Sequence, residues 1–235
     1  MEFTLLFAAA TALAAVWIAN RLTKPEVDKP TDLLIGAAAV GLFIGRIAAM
    51  LLAGVNPITN PADILIVRAG VDTGFATIGA LVALTWATRA DLPRVSDLLA
   101  PAALAGLAGW HAGCVWRGAC LGTVSDLPWA IAQSGSSVTR HPVEIYATVG
   151  MLLTAYLVAR LARTPWLRTG AALGLAAVVR IATQPVRPSL TGGPMWWYYA
   201  GATVGLVTVM WAIAGRRMKP SLSGPATGRE PPPPG

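Results

Sequence analysis

Charge is what this sequence has least of. Only 12% of its 235 residues are Asp, Glu, Lys or Arg, against roughly 25% in a water-soluble domain. That shortage excludes an ordinary soluble fold. Cysteine and histidine are scarce too, at two each. Two cysteines are too few for a small disulfide-stapled scaffold. Cys-x5-Cys with one nearby histidine is no convincing ligand set, so no metal is expected. No motif calls for a cofactor. A basic leader is also missing. The first apolar run, Phe3 to Ile18, has only Glu2 ahead of it, so it reads as an uncleaved span rather than a signal peptide. No internal repeat of the kind found in transporters stands out.

What is abundant is apolar. Hydrophobic residues make up 55% of the chain, with 24 Gly and 18 Pro and a mean hydropathy of +0.59. This is the composition of a polytopic membrane protein. A span needs about 20 mostly apolar residues. That length predicts an all-α membrane domain of seven transmembrane helices over 1–215, near 3–19, 33–54, 67–87, 97–116, 142–162, 168–183 and 195–214. Residues 216–235, rich in Pro and Gly, form a disordered cytoplasmic tail.

The net charge of +7 is a topology signal rather than a nucleic-acid signal. Arg21, Lys24, Lys29, Arg89, Arg94, Arg160, Arg163, Arg168, Arg216, Arg217, Lys219 and Arg229 fall in alternate links or the tail; only Arg68, Arg117, Arg140 and Arg187 fall on the other side. The positive-inside rule then puts the N-terminus outside and the C-terminus in the cytoplasm. Met195–Tyr199, MWWYY, suits an aromatic belt at the outer start of the last span. Small-residue runs such as LLAPAALAGLAG (Leu98–Gly109) and TGAALGLAA (Thr169–Ala177) allow close helix packing.

Polar residues inside or beside the spans are the candidate functional groups, because each is costly there without a partner. Arg46 lies within the second span, either internally paired or facing an anion. Arg140 and Glu144, at i and i+4 in RHPVEIY, would share one face at the head of the fifth helix, with Tyr146 nearby. Arg180, Gln184 and Arg187 would form one stripe if helical. Two guanidiniums on a face want an anion, and phospholipid phosphate fits their fork geometry. Pairing with Asp72, Asp126 or Glu144 of other helices is the competing reading. His111 is the one candidate base near this stretch, although membrane histidines commonly serve packing. Cys114 and Cys120 point apart on a continuous helix. Gly118 and Gly122 make a loop there, and an outer compartment permits a disulfide.

Residues 110–129, WHAGCVWRGACLGTVSDLPW, resemble the GRxGxFxxGxxYGxxTDLPW-like signature of the prolipoprotein diacylglyceryl transferases, seven-span enzymes of the bacterial inner membrane. RHPVEIYA (Arg140–Ala147) is similar to the family's RHPxQLYE. GLFIGRIAA resembles its second-span GxxxGxR pattern, and VVRIATQPVRPS its late RFxxExxR segment. The resemblance covers about residues 33–215. It implies transfer of a diacylglyceryl group from phosphatidylglycerol to a prolipoprotein lipobox cysteine. In that reading Arg140 and Glu144 order the headgroup side, Arg180 and Arg187 hold phosphate, and Gly118 and Gly122 keep the loop close to the lipid. The sequence departs from the pattern at several places. His111 stands for the signature arginine and Cys114 for its asparagine, DTGFA (Asp72–Ala76) for an SFHGG-like element, and Gln184 for the late acid. A transferase and a catalytically inactive, transferase-like subunit or lipid-binding scaffold in a larger complex therefore both stand open.

Overall fold

The computed structural model describes residues 4–65, 71–114, 121–132, 135–188 and 195–217. Within them the chain is mostly helical: α1 Thr4–Thr23, α2 Pro30–Leu52, the short α3 Ala62–Leu65, α4 Thr73–Thr88, α5 Leu92–Cys114, α6 Val143–Arg160, α7 Leu167–Thr183 and α8 Trp196–Arg217. Each of the seven predicted apolar runs holds one long helix; residues 67–70 and 115–116 of those runs lie outside the described residues. The helix ends move by a few residues, because composition marks the apolar stretch and local capping sets where the helix stops. Four of them, α2, α6, α7 with its final turn, and α8, are long and apolar enough to cross a membrane. The expected tail lies outside the described residues beyond Arg217.

Three packed pairs of long helices, α1 with α5, α2 with α4 and α7 with α8, run antiparallel. Gly109 and Gly113 of α5 lie against the backbone of α1 at Thr11 and Ala8, and the Thr11 hydroxyl donates to the Gly109 carbonyl at 2.7 Å. Gly41 and Gly45 of α2 play the same part against α4: a Cβ on either would come within 2.5 Å of the Ala76 carbonyl or 2.6 Å of the Asp72 carbonyl. Gly170 and Gly174 of α7 meet Gly205 of α8. Small residues are what let helix backbones approach when apolar side chains gain nothing over lipid.

α5 is the centre. It packs on α1, α6 and α7, and Ala102 and Ala108 are fully buried. With Leu104 it joins Met151, Ala155 and Val158 of α6 in the core, covered by Leu175 and Val179 of α7. The outer helices are the reverse. Phe43, Leu81, Trp86, Leu153, Leu206 and Trp211 are exposed large apolar side chains, a surface suited to hydrocarbon rather than water.

The two ends of the bundle differ in chemistry. At the end holding the α6–α7 turn, Asp97 of α5 is buried and accepts from the Thr169 amide and hydroxyl at 2.8 and 2.6 Å, capping α7 from a neighbouring helix. Arg168 donates to the carbonyls of Ala159 and Leu161, closing the end of α6. Exposed Glu26 bridges Arg94 and Arg163, tying the α1–α2 link to the first turn of α5 and to the α6–α7 link. Replacing Asp97 with Ala removes the cap of α7. A loss of about 1–2 kcal/mol of stability is expected, read as a lower melting temperature in detergent.

Candidate functional site

At the opposite end, α5 finishes, α6 begins and α7 finishes. Between α5 and α6 the chain makes a small β ribbon, β1 Ile131–Ala132 paired antiparallel with β2 Thr139–Arg140, a local addition to the expected all-α architecture. Beside it, residues 122–125 run extended between two other segments. The Gly122 amide donates to the His141 carbonyl at 2.7 Å, and the Thr123 amide to the Val186 carbonyl at 2.9 Å; the Ser125 amide donates to the Thr139 carbonyl and the His141 amide to the Thr123 carbonyl. The loop is thereby stitched to the head of α6 on one side and to the end of α7 on the other.

Gly122 makes the stitch possible. A Cβ there would collide with the Val186 carbonyl and lie 3.0 Å from the His141 Cβ. The sequence suggested a glycine that lets the loop approach a lipid; in the structure it lets the loop approach the end of α7. Gly122→Ala should displace Val186, at about 1–3 kcal/mol of stability, with amide exchange at Thr123 accelerating as its bond to Val186 opens.

Glu144, in the first turn of α6, is buried at 8% exposure. Its Oε1 accepts from Arg187 Nη1 at 2.5 Å, and its Oε2 pairs with His111 Nδ1. One carboxylate thus joins three elements. Arg187 is also 8% exposed; its Nε reaches the Thr183 hydroxyl at 3.5 Å, and its Nη2 is buried without a partner among the described residues.

This arrangement corrects two sequence expectations. Arg140 and Glu144 do not share a helix face, because α6 starts only at Val143, after Pro142 (φ −76°, ψ 63°). Arg140 is extended, bridges Val124, and donates from Nη1 to the Gly122 carbonyl at 3.3 Å. Nor do Arg180, Gln184 and Arg187 form a continuous stripe. α7 ends at Thr183, Gln184–Val186 tighten into a 3-10 turn around Pro185, and Arg187 is extended (φ −87°, ψ 147°). A proline there cannot donate to the α-helical ladder. The two arginines part company: Arg187 turns to Glu144, the pairing weighed as its competing reading, and Arg180 to α8. There Arg180 donates to the Tyr198 hydroxyl at 3.1 Å and lies over its ring at 4.9 Å. Gln184 is half-buried at the turn.

Arg46 stands apart from the carboxylate. It is 4% exposed, and its Nε and Nη2 donate to the Asp63 carbonyl at 3.0 and 2.6 Å, holding α3 to α2. Asp72, weighed as a partner for arginine, instead caps α4 by accepting from the Phe75 amide. Cys114 ends α5, one turn beyond His111, and is disulfide-bonded; Cys120 and Gly118 lie outside the described residues. The Tyr146 hydroxyl accepts from the Trp129 indole at 2.8 Å and is 3.4 Å from His141 Nδ1. Sequence reasoning did not single out His141, Trp129 or Tyr198 as site residues. The first two were signalled by the RHP and DLPW motifs that contain them; Tyr198 carried no signal beyond its place in an aromatic run.

A family model for prolipoprotein diacylglyceryl transferase matches residues 2–219, nearly the whole chain. The chain belongs to this family. Among its relatives, a protein of Pseudoalteromonas translucida named phosphatidylglycerol–prolipoprotein diacylglyceryl transferase is 30% identical over 155 residues, covering 61% of this chain and 58% of the relative. One of the same name from Allorhizobium ampelinum is 33% identical over 152 residues, covering 61% and 52%. Another, from Polynucleobacter asymbioticus, is 37% identical over 98 residues, covering 40% and 38%. The chain spans about half the length of the curated relatives it matches. Measured against the transferase pattern, two departures turn out to be neighbours. His111, in place of the signature arginine, touches Glu144, in place of the glutamine of RHPxQLYE. Here an imidazole faces a carboxylate.

Proposed function

We propose that this protein transfers a diacylglyceryl group from phosphatidylglycerol to the thiol of a prolipoprotein cysteine. The observation that carries this reading is the grip of Glu144 on both His111 and Arg187, which joins three segments bearing the family signature. In the reaction the cysteine thiol gives its proton to a base and its sulfur attacks the terminal carbon of the diacylglyceryl group. A C–S thioether bond forms, the C–O bond to phosphate breaks, and glycerol phosphate leaves as an anion. His111 is the base by residue type and position. Arg180 is the first candidate for holding the leaving phosphate, with Arg140 on the headgroup side, since fixed donors aimed at developing charge are the largest help such a step receives. Arg187 contributes its remaining Nη2 edge. Arg46, Gly118, Gln184 and Tyr146 complete the substrate side.

This reading sets the protein in the bacterial cytoplasmic membrane, with residues 1–215 as one seven-span unit, the N-terminus outside, and residues 216–235 as a cytoplasmic tail. The antiparallel packing of α1 with α5, α2 with α4 and α7 with α8 supports that arrangement, as do the basic links at the Asp97 end. α5 needs less apolarity than the outer helices because it is surrounded by protein. The site then lies at the outer face, where lipid headgroups and exported prolipoproteins meet.

A second reading, a transferase-shaped lipid-binding subunit, draws on one observation: Glu144 neutralises an arginine otherwise available to phosphate. Transfer of labelled diacylglyceryl from phosphatidylglycerol to a lipobox peptide by the purified protein separates the two. The expected outcome is turnover that falls roughly 100-fold or more in Arg180→Ala and also drops in Arg140→Ala. No turnover, with lipid retained and a partner protein copurifying, would establish the subunit instead.

A further inference from the structure

We infer that Glu144 is a positioning residue for His111, fixing which ring nitrogen carries the proton so that Nε2 receives the proton of the acceptor thiol. This inference rests on the transferase reading above and deepens it at the same site.

Donors and acceptors around the carboxylate fix the proton's place. An ionised carboxylate only accepts hydrogen bonds. Oε1 of Glu144 already accepts from Arg187, whose guanidinium has donors and no acceptor. Oε2 is left for His111 Nδ1, and a carboxylate oxygen can meet that nitrogen only if the nitrogen bears hydrogen. The neutral ring is then the Nδ1–H tautomer, whose Nε2 carries a lone pair. Nε2 has no hydrogen-bond partner among the described residues, and the His111 side chain is 16% exposed. The ring is thus held at one nitrogen and open at the other. Once the proton arrives on Nε2, the imidazolium lies against the same carboxylate, which stabilises the charge at the moment the thiolate forms.

Other polar side chains on the elements that meet here have partners of their own. Thr11 of α1 is committed to the Phe7, Ala8 and Gly109 carbonyls, Thr148 of α6 to the Glu144 carbonyl, and His141 faces Tyr146.

Glu144→Gln makes the idea testable, because it keeps shape while changing the inventory. The amide oxygen can still accept from Arg187, but the amide NH2 then faces Nδ1 and can only donate. That forces the Nε2–H tautomer and removes the lone pair from the working nitrogen. Nitrogen NMR of histidine-labelled protein, with the His111 signal assigned by its loss in His111→Asn, should show Nδ1–H in the wild type and Nε2–H in Glu144→Gln. In the transfer assay kcat should fall about 100-fold or more. A merely structural Glu144 would leave the tautomer and kcat untouched in this isosteric variant. An Nε2–H ring in the wild type, or wild-type kcat in Glu144→Gln, overturns the inference. Should Glu144→Gln fail to fold, the wild-type tautomer decides alone. A wild-type protein that transfers nothing overturns the transferase reading and the catalytic use of the pair, while the spectrum still reports whether Glu144 sets the ring.

Discussion

A buried carboxylate at the head of α6 is the constraint on which the site end of this protein depends. Leaving one member of a buried ion pair without its partner costs about 3–5 kcal/mol. Glu144 therefore cannot sit where it does unless the end of α7 delivers Arg187 and the end of α5 delivers His111. Both deliveries need special backbone. α7 must stop at Thr183 and tighten around Pro185 before Arg187 can turn inward. The 122–125 segment must pass close beside Val186, which only a glycine at 122 permits. Capping, close approach and charge pairing are thus one device, spread over segments that the sequence separates by tens of residues.

The same dependence explains which features could be read in advance. The long helices were legible because each falls on a long, mostly apolar run, and four of them are long and apolar enough to cross a membrane. The signature stretches were legible as residue strings. Their geometry was not. Arg140 and Glu144 have helical spacing, but Pro142 fixes the helix start after Arg140, so the spacing misleads. Arg180 and Arg187 also have helical spacing, broken by the turn at Pro185. The partner of Glu144 lies 33 residues upstream in α5 and 43 downstream after α7. No local pattern specifies such a pairing; only the antiparallel packing of α5, α6 and α7 does.

The departures from the transferase pattern also look different in three dimensions. Taken singly, an arginine lost at 111 and an acid gained at 144 each remove an expected group. Together they form a contact in which a titratable ring replaces a permanent cation and a carboxylate replaces an amide. The pair links α5 to α6, and an imidazole, unlike a guanidinium, can change its charge near neutrality. Arg180, paired with Tyr198 on α8, sits outside that contact and keeps its place in the pattern.

Glu144 and Arg187 hold each other in place, and a double-mutant cycle on folding stability measures that dependence. Glu144→Ala, Arg187→Ala and the double variant would be unfolded in mixed micelles alongside the wild type. The double variant should lose less stability than the two single losses combined, by more than about 1 kcal/mol, as residues sharing one buried network do. Losses that add within about 0.5 kcal/mol, as for distant and independent sites, would show that the two charges do not hold each other and would contradict that dependence.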